Sequence, residues 1–152
     1  MKKIGFLVND LNPSQLSYFL IKNANEFLTK NKDYDIYIFY DNLAVPCLTP
    51  NFAIMQAAEA FSFDGTLIAT NLNTASKLIN FPSAEKKYFY VWDLDWMRMK
   101  NKSFDALQSI YGNKELSLIA RSDEHKQAIE NAWNAPVKNV ISNFDMSKFS
   151  IL

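Results

Sequence analysis

The feature that most constrains this chain is its alternation of short apolar runs with longer segments of helical period. Residues 4–8, 35–40, 66–69, 87–91, 116–120 and 137–141 are apolar runs rich in β-branched and aromatic side chains, each ended by polar or turn-forming residues. Runs of that length read as strands, because a buried strand needs apolar groups on both sides while a helix of the same length closes too few hydrogen bonds. Between the first two, Leu16, Phe19, Leu20, Ala24, Phe27 and Leu28 recur at helical spacing behind Pro13-Ser14, giving one apolar stripe. Further helices are expected over an Ala-rich stretch at 52–61, then over 74–79, 103–111 and from Ser122 to about Asn134. Ser122 is placed to cap the last of these. Strand and helix in strict alternation, with strands apolar on both sides, predict a parallel sheet covered on both faces. The expected fold is a Rossmann-like three-layer α/β sandwich, with a mostly parallel sheet of about six strands. A single domain over residues 1–152 fits that length, since a chain of about 150 residues supports one substantial core and two halves would each be marginal.

Composition narrows the function. Basic and acidic residues number 16 each, for a formal net charge of zero, so nucleic-acid binding through a global positive field is not expected. Lys86-Lys87 and the stretch from Lys100 to Lys102 are too short for a basic patch and read as solvated surface. Cys47 is the only cysteine, which excludes an intrachain disulfide and fits a reducing, cytoplasmic setting. The N-terminal apolar run breaks at Asn9-Asp10, too soon for a secretory leader or a membrane span.

In open parallel sheets ligands bind beyond the carboxyl ends of the strands, where strand order reverses. Here those ends read Asn9-Asp10, Asp41-Asn42, Thr70-Asn71, Trp92-Asp93, Arg121-Ser122 and Asn143. Caps and turns use the same residue types, so any one position has a structural explanation; the rim as a whole is where a small-molecule site belongs. Its most distinctive piece is Trp92-Asp93-Leu94-Asp95-Trp96. If extended, this segment turns Asp93 and Asp95 to one side and the tryptophans to the other. Two carboxylates beside aromatics suit sugar hydroxyls, a metal ion or a general base; a helix-start turn over buried tryptophans is the competing account.

Several chemistries are excluded. The first strand-to-helix turn, residues 8–14, holds no glycine, so it is neither a dinucleotide fingerprint nor a P-loop. No metal-ligand spacing of Cys and His occurs, and no cofactor is implied. His125, the sole histidine, lies early in a helix with no triad around it and reads as a capping or solvated residue. A receiver domain would need a phosphoacceptor at the end of the third strand, where Thr70 stands.

The run Leu118-Ile119-Ala120-Arg121-Ser122-Asp123-Glu124-His125-Lys126, with Trp133-Asn134-Ala135-Pro136 and Val140-Ile141-Ser142-Asn143-Phe144-Asp145, resembles the closing part of the N-terminal domain of GT-B-fold glycosyltransferases. There a strand delivers a small residue and a Ser, a helix follows, and a further strand ends in an Asn-Gly-Val-Asp-like turn. The resemblance implies an acceptor-side half that binds a sugar or nucleotide-sugar at Asn9, Asp10, Trp92, Asp95 and Ser122, with Asp93 as catalytic base. The glycine-rich loop that many of these enzymes carry after the first strand is missing. In that family a second Rossmann domain supplies most donor contacts, and Leu152 is reached where it would begin. Transfer would then need a protein partner or a homodimer. The alternative is a non-enzymatic binding module on the same half-scaffold, docking through Phe144, Phe149, Trp92 and Trp96.

Overall fold

The computed structural model of the chain describes residues 1–101 and 103–152; Lys102, part of the second basic stretch above, lies outside them. The strands are β1 (Lys2–Val8), β2 (Tyr34–Tyr40), β3 (Ala53–Gln56), β4 (Thr66–Ala69), β5 (Lys86–Val91), β6 (Ser117–Ala120) and β7 (Val137–Val140). They form one seven-stranded sheet in the order β3-β2-β1-β4-β5-β6-β7, and every neighbouring pair is parallel. The helices are α1 (Gln15–Lys30), α2 (Leu72–Leu78), α3 (Phe104–Tyr111), α4 (Asp123–Trp133) and α5 (Met146–Phe149), with 3₁₀ turns at Ala57–Ser62 and Asp95–Arg98. The expected three-layer α/β architecture is therefore present, with one strand more than the sequence suggests. The extra strand is β3, inside the stretch expected to be an Ala-rich helix. Ala, Met and Gln favour helix, but Ala53–Gln56 pairs along β2 from Tyr37↔Ala53 to Tyr40↔Gln56, and tertiary pairing overrides a weak local preference.

Period-two alternation assigns the side chains to two cores. Ile4, Phe6 and Val8 of β1, Ile68 of β4, Tyr90 and Trp92 at the end of β5, and Ile119 of β6 face the side covered by α1 and α5. Leu7, Leu67, Ala69, Phe89, Val91, Leu118 and Ala120 face α2, α3 and α4. The first side is the more thinly covered, by one long helix and by the chain beyond β7. Ile141, Phe144, Met146 and Phe149 all lie buried there.

Phe144 anchors that return. It is fully buried and packs edge-on against Tyr90 at 4.9 Å and Phe6 at 5.7 Å, and beside Trp92 at 5.1 Å. The Tyr90 hydroxyl donates to the Ile141 carbonyl and also bonds the Phe144 backbone. Asn143 and Phe144 both take left-handed backbone, at φ 46° and 56°. For a bulky side chain such a conformation costs on the order of 1–3 kcal/mol, and it persists only where surrounding packing over-determines it. The aromatic cluster does so here. Replacing Phe144 by Ala is expected to lower unfolding free energy by about 3–5 kcal/mol, the range for emptying a buried aromatic site, measured by denaturant titration.

Candidate binding cleft

Strand order reverses between β1 and β4: the chain leaves β1 toward β2 and leaves β4 toward β5. Loops that diverge in this way open a crevice at the carboxyl edge. It is spanned near its floor by Thr70, whose hydroxyl donates to the Leu7 carbonyl at 2.8 Å. Above lies a cleft of about 230 Å³ lined by Val8, Asn9, Asp10, Ser14, Leu16, Thr70, Asn71, Trp92, Asp93 and Asp95.

The register explains how β5 reaches this cleft from one strand away. Ala69, the last residue of β4, pairs with Phe89, while β5 continues to Val91. The extra length lifts Asp93 and Asp95 above the rim. The segment then coils instead of running extended, with Asp95–Arg98 as a 3₁₀ turn. Asp93 and Asp95 still meet at the cleft, but the two tryptophans part. Trp92 enters the core beneath α1, and Trp96 packs on the opposite side against Tyr111 and Trp133, at 5.2 and 5.6 Å.

The polar groups differ in how far each is engaged. Asp10 accepts from the Asn12 amide at 2.9 Å, bracing its own turn. Asn9 accepts from the Asn73 side chain at 3.0 Å, and Asn73 also donates to Asp41, which pairs with Lys77 at 2.6 Å. Asp95 accepts from the Leu72 amide at 3.2 Å, satisfying the start of α2. Asp93 is half-buried and makes no hydrogen bond to another protein group among the described residues. Its carboxylate is the one of the three most available to an outside hydroxyl.

Of the residues expected from sequence, Asn9, Asp10, Trp92, Asp93 and Asp95 come together around this cleft; Ser122 does not line it. The Ser122 hydroxyl accepts from the His125 amide at 3.1 Å and serves as the cap of α4. Trp92 is a wall more than a stacking platform: it is only 5% exposed, and the Arg121 guanidinium lies 3.9 Å above its ring. Phe144 and Phe149 are buried as well. Of the four rings expected to form a docking surface, Phe144, Phe149 and Trp92 are therefore turned into the core as cover for the sheet, and Trp96 is half-buried.

Two neighbours named in the sequence, Arg121 at the rim and His125 as a capping or solvated residue, were not read as part of a site. Arg121 follows β6 and donates to the Trp92 carbonyl at 3.3 Å, fixing the strand end that carries Asp93. His125 stands one turn into α4, its Nδ1 buried without a hydrogen-bond partner. Burial, then Arg121, hold its pKa below 6.5, while Asp93, the Val91 backbone and Glu124 pull the other way. Only the pairing of β5 with β6 brings these groups together, so no local motif announces them.

Among the described residues no lysine, arginine or histidine lines the cleft. Its three carboxylates repel phosphate and accept hydrogen bonds from hydroxyl groups. At the start of α1, which would otherwise attract an anion, Ser14 and Ser17 form a closed capping box. Among the described residues no group of three or more His, Cys, Asp or Glu side chains is placed to hold a metal ion, and no helix is long and apolar enough to cross a membrane. No protein-family model matches the chain, and no curated protein is significantly similar to it.

The lowered pKa of His125 sets a sign. The unfolded chain binds the proton more readily, so this group's contribution to stability is present above pH 6.5 and is lost as pH falls from there through the lower native pKa. His125→Gln is expected to flatten that limb of a stability-versus-pH curve, and NMR of the native protein should show the imidazole titrating below 6.5. Ser122→Ala should cost about 0.5–2 kcal/mol of stability through the lost cap, read by thermal unfolding.

Proposed function

We propose that this chain is a glycosyltransferase-like acceptor-side module that binds a sugar, held by its hydroxyls, in the cleft between β1 and β4. The observation that carries the reading is the convergence of Asn9, Asp10, Asn71, Asp93 and Asp95 on one crevice at the switch point. Carboxylates and amides at fixed positions accept and donate to vicinal hydroxyls, and charged acceptors make the stronger hydrogen bonds. Among the described residues no cation lines the cleft, which favours the neutral sugar over the diphosphate of a nucleotide-sugar. The GT-B resemblance of residues 118–145 supports the same side of the reaction.

In this reading Asp93 accepts the proton of the acceptor hydroxyl as that oxygen bonds the anomeric carbon of a nucleotide-sugar donor and the donor's diphosphate leaves with the electron pair of the broken C–O bond, which fits a half-buried carboxylate with no protein hydrogen bond. Asn9 and Asp95 hold neighbouring hydroxyls, and Arg121 positions Asp93 through the Trp92 carbonyl. The electrophilic donor sugar would be presented by a second domain or a second polypeptide.

Thermal unfolding against a panel of mono- and disaccharides, with nucleotide-sugars alongside, tests this. A ligand at about a hundred times its Kd adds about 2.7 kcal/mol to native stability, a readily measured rise in Tm. Asp93→Asn should weaken the best sugar by about tenfold, as expected when a charged acceptor is neutralised. Ser122→Ala should leave its Kd unchanged. A panel without any shift, or an unchanged Kd in Asp93→Asn, overturns the assignment.

A further inference from the structure

The two edges of the sheet are built differently. At one edge, β7 follows Pro136, carries Lys138 at an exposed position, and has an irregular register where Leu118 and Ile119 meet it. Proline, lysine and a register break are all devices that discourage pairing with another strand. At the other edge, β3 has none of them. It pairs with β2 on one side only, all its residues are exposed, and its sequence is Ala-Ile-Met-Gln.

The surroundings of β3 are equally unprotected. No residue from 42 to 58 is charged, yet much of this stretch faces solvent. Leu43 and Val45 are 81% and 85% exposed, and Ile54 and Met55 are both 39% exposed. Apolar surface of this kind, continuous with an open row of backbone donors and acceptors, marks an interaction site.

We propose that β3 is a homodimer interface, in which two copies pair their β3 strands antiparallel about a two-fold axis and join their sheets into one. Three observations select a second copy as the occupant. A two-fold antiparallel pairing can set Ile54 of one chain opposite Ile54 of the other on one face and Met55 of each opposite Ala53 of the other on the second face, so the strand is complementary to itself. The formal net charge is zero, so identical chains meet without long-range repulsion. An uncharged patch also gives nucleic acid or an anionic membrane no electrostatic hold. The strand is short and its added hydrogen bonds are few, so the flanking apolar side chains supply much of the affinity. The interface lies two strands from β1, along the sheet from the sugar cleft, and leaves that cleft open.

Sedimentation equilibrium of the full chain over about 1–100 µM, the range expected for a small interface, should show a reversible dimer. Ile54→Lys and Met55→Lys should each raise the dimer Kd at least tenfold, while Asn139→Lys on β7 should leave it unchanged. Both β3 positions are partly exposed, and a far-ultraviolet circular dichroism spectrum like that of the parent checks that the variants fold. Amide exchange in residues 53–56 should slow as concentration rises. A monomer at every concentration overturns the proposal, as does a dimer indifferent to lysine at both 54 and 55. Neither result bears on sugar binding, which is read separately by thermal shift in the same variants.

Discussion

A parallel sheet is tolerable only when both its faces are covered, and on one face of this protein that cover depends on a few aromatic contacts. α1 spans part of the β1 side, and the remainder is closed by residues 141–152 folding back beneath it. Phe144 and Phe149 meet Phe6, Tyr90 and Trp92 from there, and the Tyr90 hydroxyl fastens the segment through the Ile141 carbonyl. Left-handed backbone at a phenylalanine is the local cost of aiming that ring inward. Without this closure Ile68, Tyr90 and Ile119 would lose much of their cover.

The same packing shapes the cleft. Trp92 is drawn into the core and held there under Arg121, which fixes the direction in which the chain leaves β5. Asp93 and Asp95 follow from that direction, one without a protein hydrogen bond among the described residues and the other spent on the start of α2. Stability and candidate chemistry thus meet at one strand end. A substitution at Arg121 or Phe144 would disturb the cleft without touching a ligand.

The cleft and the β3 edge are governed by different physics. In the cleft, polar groups converge where two loops diverge, and small hydroxyl-bearing molecules match them. At β3, unpaired backbone and uncharged apolar side chains match another strand. Their separation along the sheet lets one be altered while the other is observed.

The alternation of strand and helix, the polar rim, the cap at Ser122 and the absence of a phosphate loop were all legible in the amino-acid order. They rest on local rules: strand period, helix period, capping and glycine-dependent turns. The helix expected over 52–61 was a local preference defeated by pairing with β2, a partner sixteen residues away in the register Tyr37↔Ala53. The meeting of Asp93 with Asp95 was anticipated on the basis of an extended segment, whereas a coil raised by the longer β5 produces it. Arg121, His125 and the buried roles of Phe144 and Phe149 could not be read locally, because they depend on which strands become neighbours and where the chain returns. Sequence alone determined which segments are strands and which residues stand at their ends; the order of the strands, set by burial of both faces, decided which of those ends share a site.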